Sequence, residues 1–144
     1  MRVLSNMLGN DTKINSKEIA IKRGNALHTL DETELWEKVY SSSGSSTNIT
    51  LSKSCATAKK AKVYAKNDDG HFLGAVEIEN PNNSVISIID FNQSGASVWT
   101  KTAKIKFQNN NVSFVVNSLG TLTQNSVNIQ NTACIYITRI DLLF

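Results

Sequence analysis

The last dozen residues constrain the fold more than any other stretch. Ala133-Cys134-Ile135-Tyr136-Ile137-Thr138-Arg139-Ile140-Asp141-Leu142-Leu143-Phe144 is rich in strand formers and holds neither Gly nor Pro. At period two, one face carries Cys134, Tyr136, Thr138, Ile140, Leu142 and Phe144. The other carries Ile135, Ile137, Arg139, Asp141 and Leu143. Both sets hold apolar side chains. A strand of this kind is expected to be covered on both sides along part of its length, either central in a sheet or in a subunit interface.

The rest of the chain supplies the partners of that strand. Its 144 residues allow one core. Asn, Ser and Thr make up roughly a third of them, a composition that favours turns and strands over helices. From Glu34 onward, short strand patterns alternate with turn signals. Candidate strands are Glu34–Ser41, Asn48–Ser52, Lys59–Lys66, Phe72–Glu79, Ser84–Phe91, Ser97–Gln108, Val112–Asn117, Leu122–Gln130 and the terminal stretch. Ser41–Thr47 reads as a flexible loop. Asn67–Gly70, Asn80–Asn83, Asn92–Gly95, Asn109–Asn111 and Asn117–Gly120 read as turns. Lys59–Lys66 places Ala61, Val63 and Ala65 inward and Lys60, Lys62, Tyr64 and Lys66 outward. Phe72–Glu79 places Phe72, Gly74, Val76 and Ile78 inward, with Glu77 and Glu79 facing the lysines. Ser84–Phe91 is apolar at both periods and is expected to be buried on both faces. Eight or nine strands at this rhythm predict an all-β antiparallel sandwich, jelly-roll-like.

Residues 1–33 differ. Leu4, Met7 and Leu8 suit a helical turn, Lys13–Lys22 a short strand, Arg23-Gly24-Asn25 a turn, and Ala26–Glu34 a further helical turn. Too few apolar residues occur here for a separate core, so the segment needs a partner: residues 34–144 or copies of itself.

The net charge of +3, with only Arg2, Arg23 and Arg139 as arginines, is too mild and dispersed for a nucleic-acid-binding domain. Cys55 and Cys134 form no metal-binding spacing; one bridge is open to them, and two buried free thiols are the commoner arrangement. His28 and His71 have no spaced metal partner, and Asp68-Asp69 lacks the ligand count calcium requires. No cofactor is expected. No apolar run follows Arg2, so no secretion signal is read, and no stretch is long and apolar enough for a membrane helix. The chain is expected to be made in a cytoplasm and to stay soluble, or to leave the cell without the secretory route.

Ile14-Asn15-Ser16-Lys17-Glu18-Ile19-Ala20 resembles the I-N-G-K-E-I/V-A segment that precedes the C-terminal β-sandwich of bacteriophage fibre proteins. Ser16 stands where that family has Gly. Leu35-Trp36 resembles the L-W pair that opens such domains. The serine-rich stretch at Ser41–Thr47, the strand at Asn48–Leu51 and the Lys/Val/Tyr strand at Lys59–Lys66 follow in the family's order. The resemblance implies a head- or tail-borne virion fibre. Residues 1–33 would serve as an anchor or shaft meeting other virion proteins, and residues 34–144 as a head that meets the host surface. It also implies a homotrimer, for which Ile14, Ile19, Ile86, Ile88, Ile135 and Ile137 are the candidate interface residues. The alternatives are a capsid-decoration protein and a bacterial carbohydrate-binding or adhesion module.

Trp36, Trp99, Tyr40, Tyr64 and Tyr136 are the aromatics able to stack on a sugar ring. Trp99, close after a Ser-Gly-Ala-Ser turn, is the best placed of them, although a core position is the plainer reading for it, as core or interface packing is for Trp36. Tyr64 shares its face with Lys60, Lys62 and Lys66, a group suited to a host glycan or an anionic cell-wall polymer; a solvated face that blocks edge pairing is the plain reading of the same residues. Asp90 and Asp141 are the one carboxylate pair on apolar strands that a glycosidase reading would use, and beside Arg139 a structural ion pair is the simpler role for Asp141. No Ser-His-Asp ordering, H-E-x-x-H, G-x-S-x-G or P-loop occurs, so the chain reads as non-enzymatic.

Overall fold

The computed structural model describes residues 20–23, 26–29 and 36–144. The chain divides into two compact units, Met1–Leu35 and Trp36–Phe144. In the first, β1 (Ala20–Arg23) and β2 (Ala26–Thr29) pair antiparallel, with Arg23 opposite Ala26. Ala26–Thr29 is therefore strand and not the start of a helical turn. Gly-Asn between two short runs is a two-residue hairpin signal in the sequence, and the pairing of the flanking strands agrees with it. The turn at Leu4–Leu8 and the interface candidates Ile14 and Ile19 lie outside the described residues.

The second unit holds nine strands: β3 (Glu37–Ser45), β4 (Ile49–Thr50), β5 (Lys60–Asn67), β6 (Phe72–Glu79), β7 (Val85–Ser94), β8 (Ser97–Gln108), β9 (Asn111–Thr123), β10 (Ser126–Gln130) and β11 (Ile135–Leu143). Sheet I has the order β3-β11-β5-β6. Sheet II has the order β10-β9-β8-β7, with β4 pairing the start of β9. All pairings are antiparallel, and one apolar core draws on both sheets. This is the all-β sandwich expected from the turn rhythm.

β11 is central in sheet I. Its inward side is built from both halves of its alternation: Ile135 and Ile137, then Ile140 and Leu142, all fully buried. A bulge at Thr138 makes this possible, because the register against both neighbours slips between Ile137 and Arg139. The Thr138 hydroxyl donates to the Tyr64 carbonyl at 3.2 Å. Much of the two-faced apolarity is thus a phase shift. Double cover is real only at the end, where Asp141 and Leu143 are also buried. Ile135 and Ile137 fill the core of one chain and are not interface residues.

β7 was expected to be buried on both faces. It is instead the edge of sheet II, with the other sheet on one side only. Ile86 and Ile88 point into the core, which removes them too from the interface set, while Val85, Ile89 and Phe91 are exposed. In β6 a register shift around Gly74 (φ +84°) sends Leu73 inward and leaves Phe72 exposed, opposite to the alternation read from sequence.

Three stretches expected to be loops or turns are strand. Ser41–Ser45 continues β3, because β11 offers it a ladder of partners from Arg139 to Ile137. Asn117–Gly120 runs through β9, paired on the β8 side along its length. Gly120 serves there as a close approach: a Cβ on it would lie 2.6 Å from Thr100 Oγ1. β7 runs on to Ser94, and the chain reverses at Gly95 (φ +58°).

Candidate functional site

Lys60, Lys62, Tyr64 and Lys66 line the outward face of β5, as the alternation requires, while Ala61, Val63 and Ala65 are buried. The neighbouring strand answers them. Lys60 lies opposite Glu79 and Lys62 opposite Glu77. Lys60 Nζ is 2.9 Å from Glu79 Oε1 and 3.3 Å from Glu77 Oε1, and Lys62 Nζ is 3.5 Å from Glu77 Oε2. Hydrogen bonds to Glu79 and then Glu77 hold the Lys60 ammonium protonated above its usual range. Lys62 also sits 4.4 Å over the Trp36 ring, and Arg139 sits 5.1 Å over Tyr64 while its Nε donates to Asp141 Oδ1 at 2.7 Å. That carboxylate raises the Arg139 pKa further. Two of the three lysines are thus committed to partners within sheet I. Trp99 does not join this group. It lies on β8 in sheet II, half-buried, on the side that carries Ala103, Ile105 and Phe107.

Lys66 belongs to a different place. Among the described residues it has no carboxylate in ion-pair contact, and it lines a polar cleft of about 230 Å3 with Ser43, Asp68 and Tyr136. The cleft forms because β11 lies between β3 and β5, which brings the end of β3, the start of β11 and the β5–β6 turn together. Gly44 makes its floor. Its φ is +143°, and a Cβ there would lie 2.9 Å from Lys66 Cε and 3.1 Å from Tyr136 Cβ. The walls are fixed. The Tyr136 hydroxyl donates to the Ala133 carbonyl at 3.2 Å. Asn67 is buried, accepts from the His71 amide at 2.9 Å and donates to Asp90 Oδ2 at 2.9 Å. Lys101, from β8, reaches across to pair with both Asp68 and Asp69.

The Lys101 clamp ties the turn to the opposite sheet. Burial alone would lower the Lys101 pKa, but its hydrogen bonds to Asp68 and Asp69 overcome this and raise it. The same contact holds the Asp69 carboxyl below its usual range. A depressed carboxyl stabilises the fold above its unfolded pKa, about 3.9, and loses that contribution as pH falls through the lower folded value. Lys101→Met is therefore expected to melt below wild type at pH 7. The difference should close as pH falls from about 4, in calorimetry across a pH series; a constant difference would contradict the clamp.

Asp90 faces inward from sheet II and Asp141 faces outward from sheet I, so the two carboxylates do not flank one cleft. Cys55 and Cys134 are free and buried, and burial raises both thiol pKa values. Among the described residues no three His, Cys, Asp or Glu side chains are placed to hold a metal ion, and no helix is long and apolar enough to cross a membrane. No protein-family model matches the chain, and no curated protein matches it as a relative.

Proposed function

We propose that this chain is a non-enzymatic virion fibre protein of the bacteriophage type. Its N-terminal unit attaches it to other virion proteins, its sandwich forms a homo-oligomeric head, a trimer, and that head adsorbs to polysaccharide on the host surface. Two things support the reading: the resemblance of Ile14–Ala20 and Leu35-Trp36 to fibre segments, and the division into a short first unit and a β-sandwich. The observation that carries the binding half is the cleft. An aromatic ring, an ammonium and a carboxylate converge on a pre-formed hollow whose walls are held by Asn67 and Lys101. Sugars are bound by this combination: a ring face for the apolar side of the pyranose and fixed polar groups for its hydroxyls.

The test is binding to immobilised host-surface polysaccharides and to whole cells. Tyr136→Ala and Lys66→Ala are each expected to weaken binding about tenfold or more, the equivalent of roughly 1.4 kcal/mol, with Tm little changed. Trp99→Ala, in the other sheet, should retain wild-type affinity. Unchanged binding in both cleft variants would move the site elsewhere. Binding to empty capsids and not to cells would make the protein a decoration protein.

A further inference from the structure

The outward face of sheet II differs from that of sheet I. Residues that pair in register across four strands share it: Ile89 and Phe91 on β7, Val98 and Thr100 on β8, Gly120 and Leu122 on β9, Val127 and Ile129 on β10. Five of these are largely in water: Ile89 63%, Phe91 62%, Leu122 50%, Val127 71% and Ile129 71% exposed. No charged side chain interrupts them. Together they offer on the order of 600 Å2 of apolar surface, at the top of the range of about 300–600 Å2 for the largest patch on a monomer and approaching the ~800 Å2 each partner gives to a standard interface. The surface is shaped as well as apolar. A trough of about 290 Å3 runs between Phe91 on one side and Leu122, Val127 and Ile129 on the other. Its floor is low because Gly120 lies against Thr100.

We infer that this face is the surface through which copies of this chain associate, the outer face of sheet II of one copy packing on its neighbour. The inference rests on the oligomeric half of the function proposed above and names where that contact lies. A second copy fits the chemistry better than other occupants. The face carries both a projecting ring, Phe91, and a trough able to take one, so the ring of each copy can enter the trough of the next and the contacts can close around a threefold axis. An acidic partner would need basic groups inside the contact. The basic residues on this face, Lys104 and Lys106, lie beyond Thr102, the register partner of Ile89, with Lys104 roughly 7 Å further along β8 at strand rise, so they stand at the rim of the apolar patch and not inside it. A membrane surface is disfavoured because no tyrosine or tryptophan borders the apolar band. The sequence carried a trace of this surface in the two-faced apolarity of Val85–Phe91, but the set that meets solvent is Ile89 and Phe91, not Ile86 and Ile88.

The experiment is light scattering on the full chain at tens of micromolar, for wild type, Phe91→Asp/Ile129→Lys, and Phe72→Ser as a surface control. All three substituted positions are exposed, so circular dichroism and Tm should remain those of a folded domain. Wild type and Phe72→Ser are expected to run as oligomers, and the double variant at the mass of one chain. A second readout uses Ile129→Cys, whose thiol would be accessible in a chain with both natural cysteines buried. Maleimide labelling of it should slow at least tenfold between dilute and concentrated protein. An oligomer that survives in the double variant, or an Ile129→Cys that labels at full rate within the oligomer, overturns the placement and leaves the oligomeric reading standing. A monomeric wild type overturns both. A wild type that is monomeric and floats with phosphatidylcholine–phosphatidylglycerol vesicles would make the face a membrane surface instead.

Discussion

Ile137→Asp is expected to abolish the folded β-sandwich. Ile137 is fully buried in the middle of the central strand, in register with Ala65 on one side and Ser45 on the other. Truncation alone is costly: Ile137→Ala should lose about 2–5 kcal/mol through lost transfer energy and the cavity left behind. A carboxylate adds the penalty of a buried polar group with no partner, worth several kcal/mol more whether it ionises or takes up a proton. The total is comparable to the whole stability of a domain, ~5–15 kcal/mol. Soluble yield and far-ultraviolet circular dichroism read the outcome for Asp, and urea midpoints read it for Ala. Lys62→Ala on the outer face should stay within about 1 kcal/mol of wild type, since it removes exposed ion-pair and ring contacts. A cooperative, native-like Ile137→Asp protein would mean that β11 does not carry the core.

That result would also test a reading of phase. The terminal stretch was legible as a central strand because nothing in it breaks pairing and too much of it is apolar to be left in water. Its faces were not legible at a fixed period of two. The apolar set moves from odd positions, Ile135 and Ile137, to even ones, Ile140 and Leu142, with the polar pair Thr138-Arg139 at the crossing. A jump of this kind is what an inserted residue looks like in sequence, and the register slip at Thr138 realises it. Gly74 gives the same signal in β6, where Phe72 and Val76 share a parity but not a face. The Asp-Gly hairpin made β5 and β6 readable as neighbours with lysines and glutamates on one face. The pairing of Lys60 with Glu79 and Lys62 with Glu77 depends also on the one-residue shift at Gly74, since the register next to the turn, Lys66 opposite Phe72, would have put Ile78 and Val76 opposite those lysines.

The cleft and the sheet II face were less accessible. Lys66, Asp68 and Tyr136 each carried a signal alone, as a basic strand position, a turn acid and an aromatic. Nothing in the sequence says that β11 inserts between β3 and β5, and only that order gathers them with Ser43 and Gly44. Strand order is a non-local property, set by which apolar faces fit together and not by alternation within a strand. The same limit governs β7. A strand apolar at both periods is compatible with a central place in a sheet or with an edge whose outer side awaits a neighbour, and the two differ only in tertiary placement.

The second large effect is expected at Asn117, which read as a turn residue and is instead a clamp between the sheets. Asn117→Ala should cost about 3 kcal/mol, with a fall in Tm on the order of 10–20 °C for a domain of this size. Its side-chain amide donates to the Ile135 carbonyl at 2.8 Å, and its Oδ1 accepts from the Cys134 and Ile135 amides at 3.0 Å and 3.1 Å. All three backbone groups belong to buried residues at the point where the chain enters its central strand. Methyl replacement leaves them without those partners, and each unsatisfied buried group costs about 1–3 kcal/mol. The loss should be less than their full sum, because water can follow the shortened side chain into a position that is only part-buried. Hydrogen exchange separates the mechanisms. Local loss of the clamp should speed exchange at the Cys134 and Ile135 amides more than at the core of β5, whereas a purely global destabilisation would raise both together. A Tm within about 3 °C of wild type, with those amides still protected, would show that the Asn117 bonds do not hold β11 against sheet II.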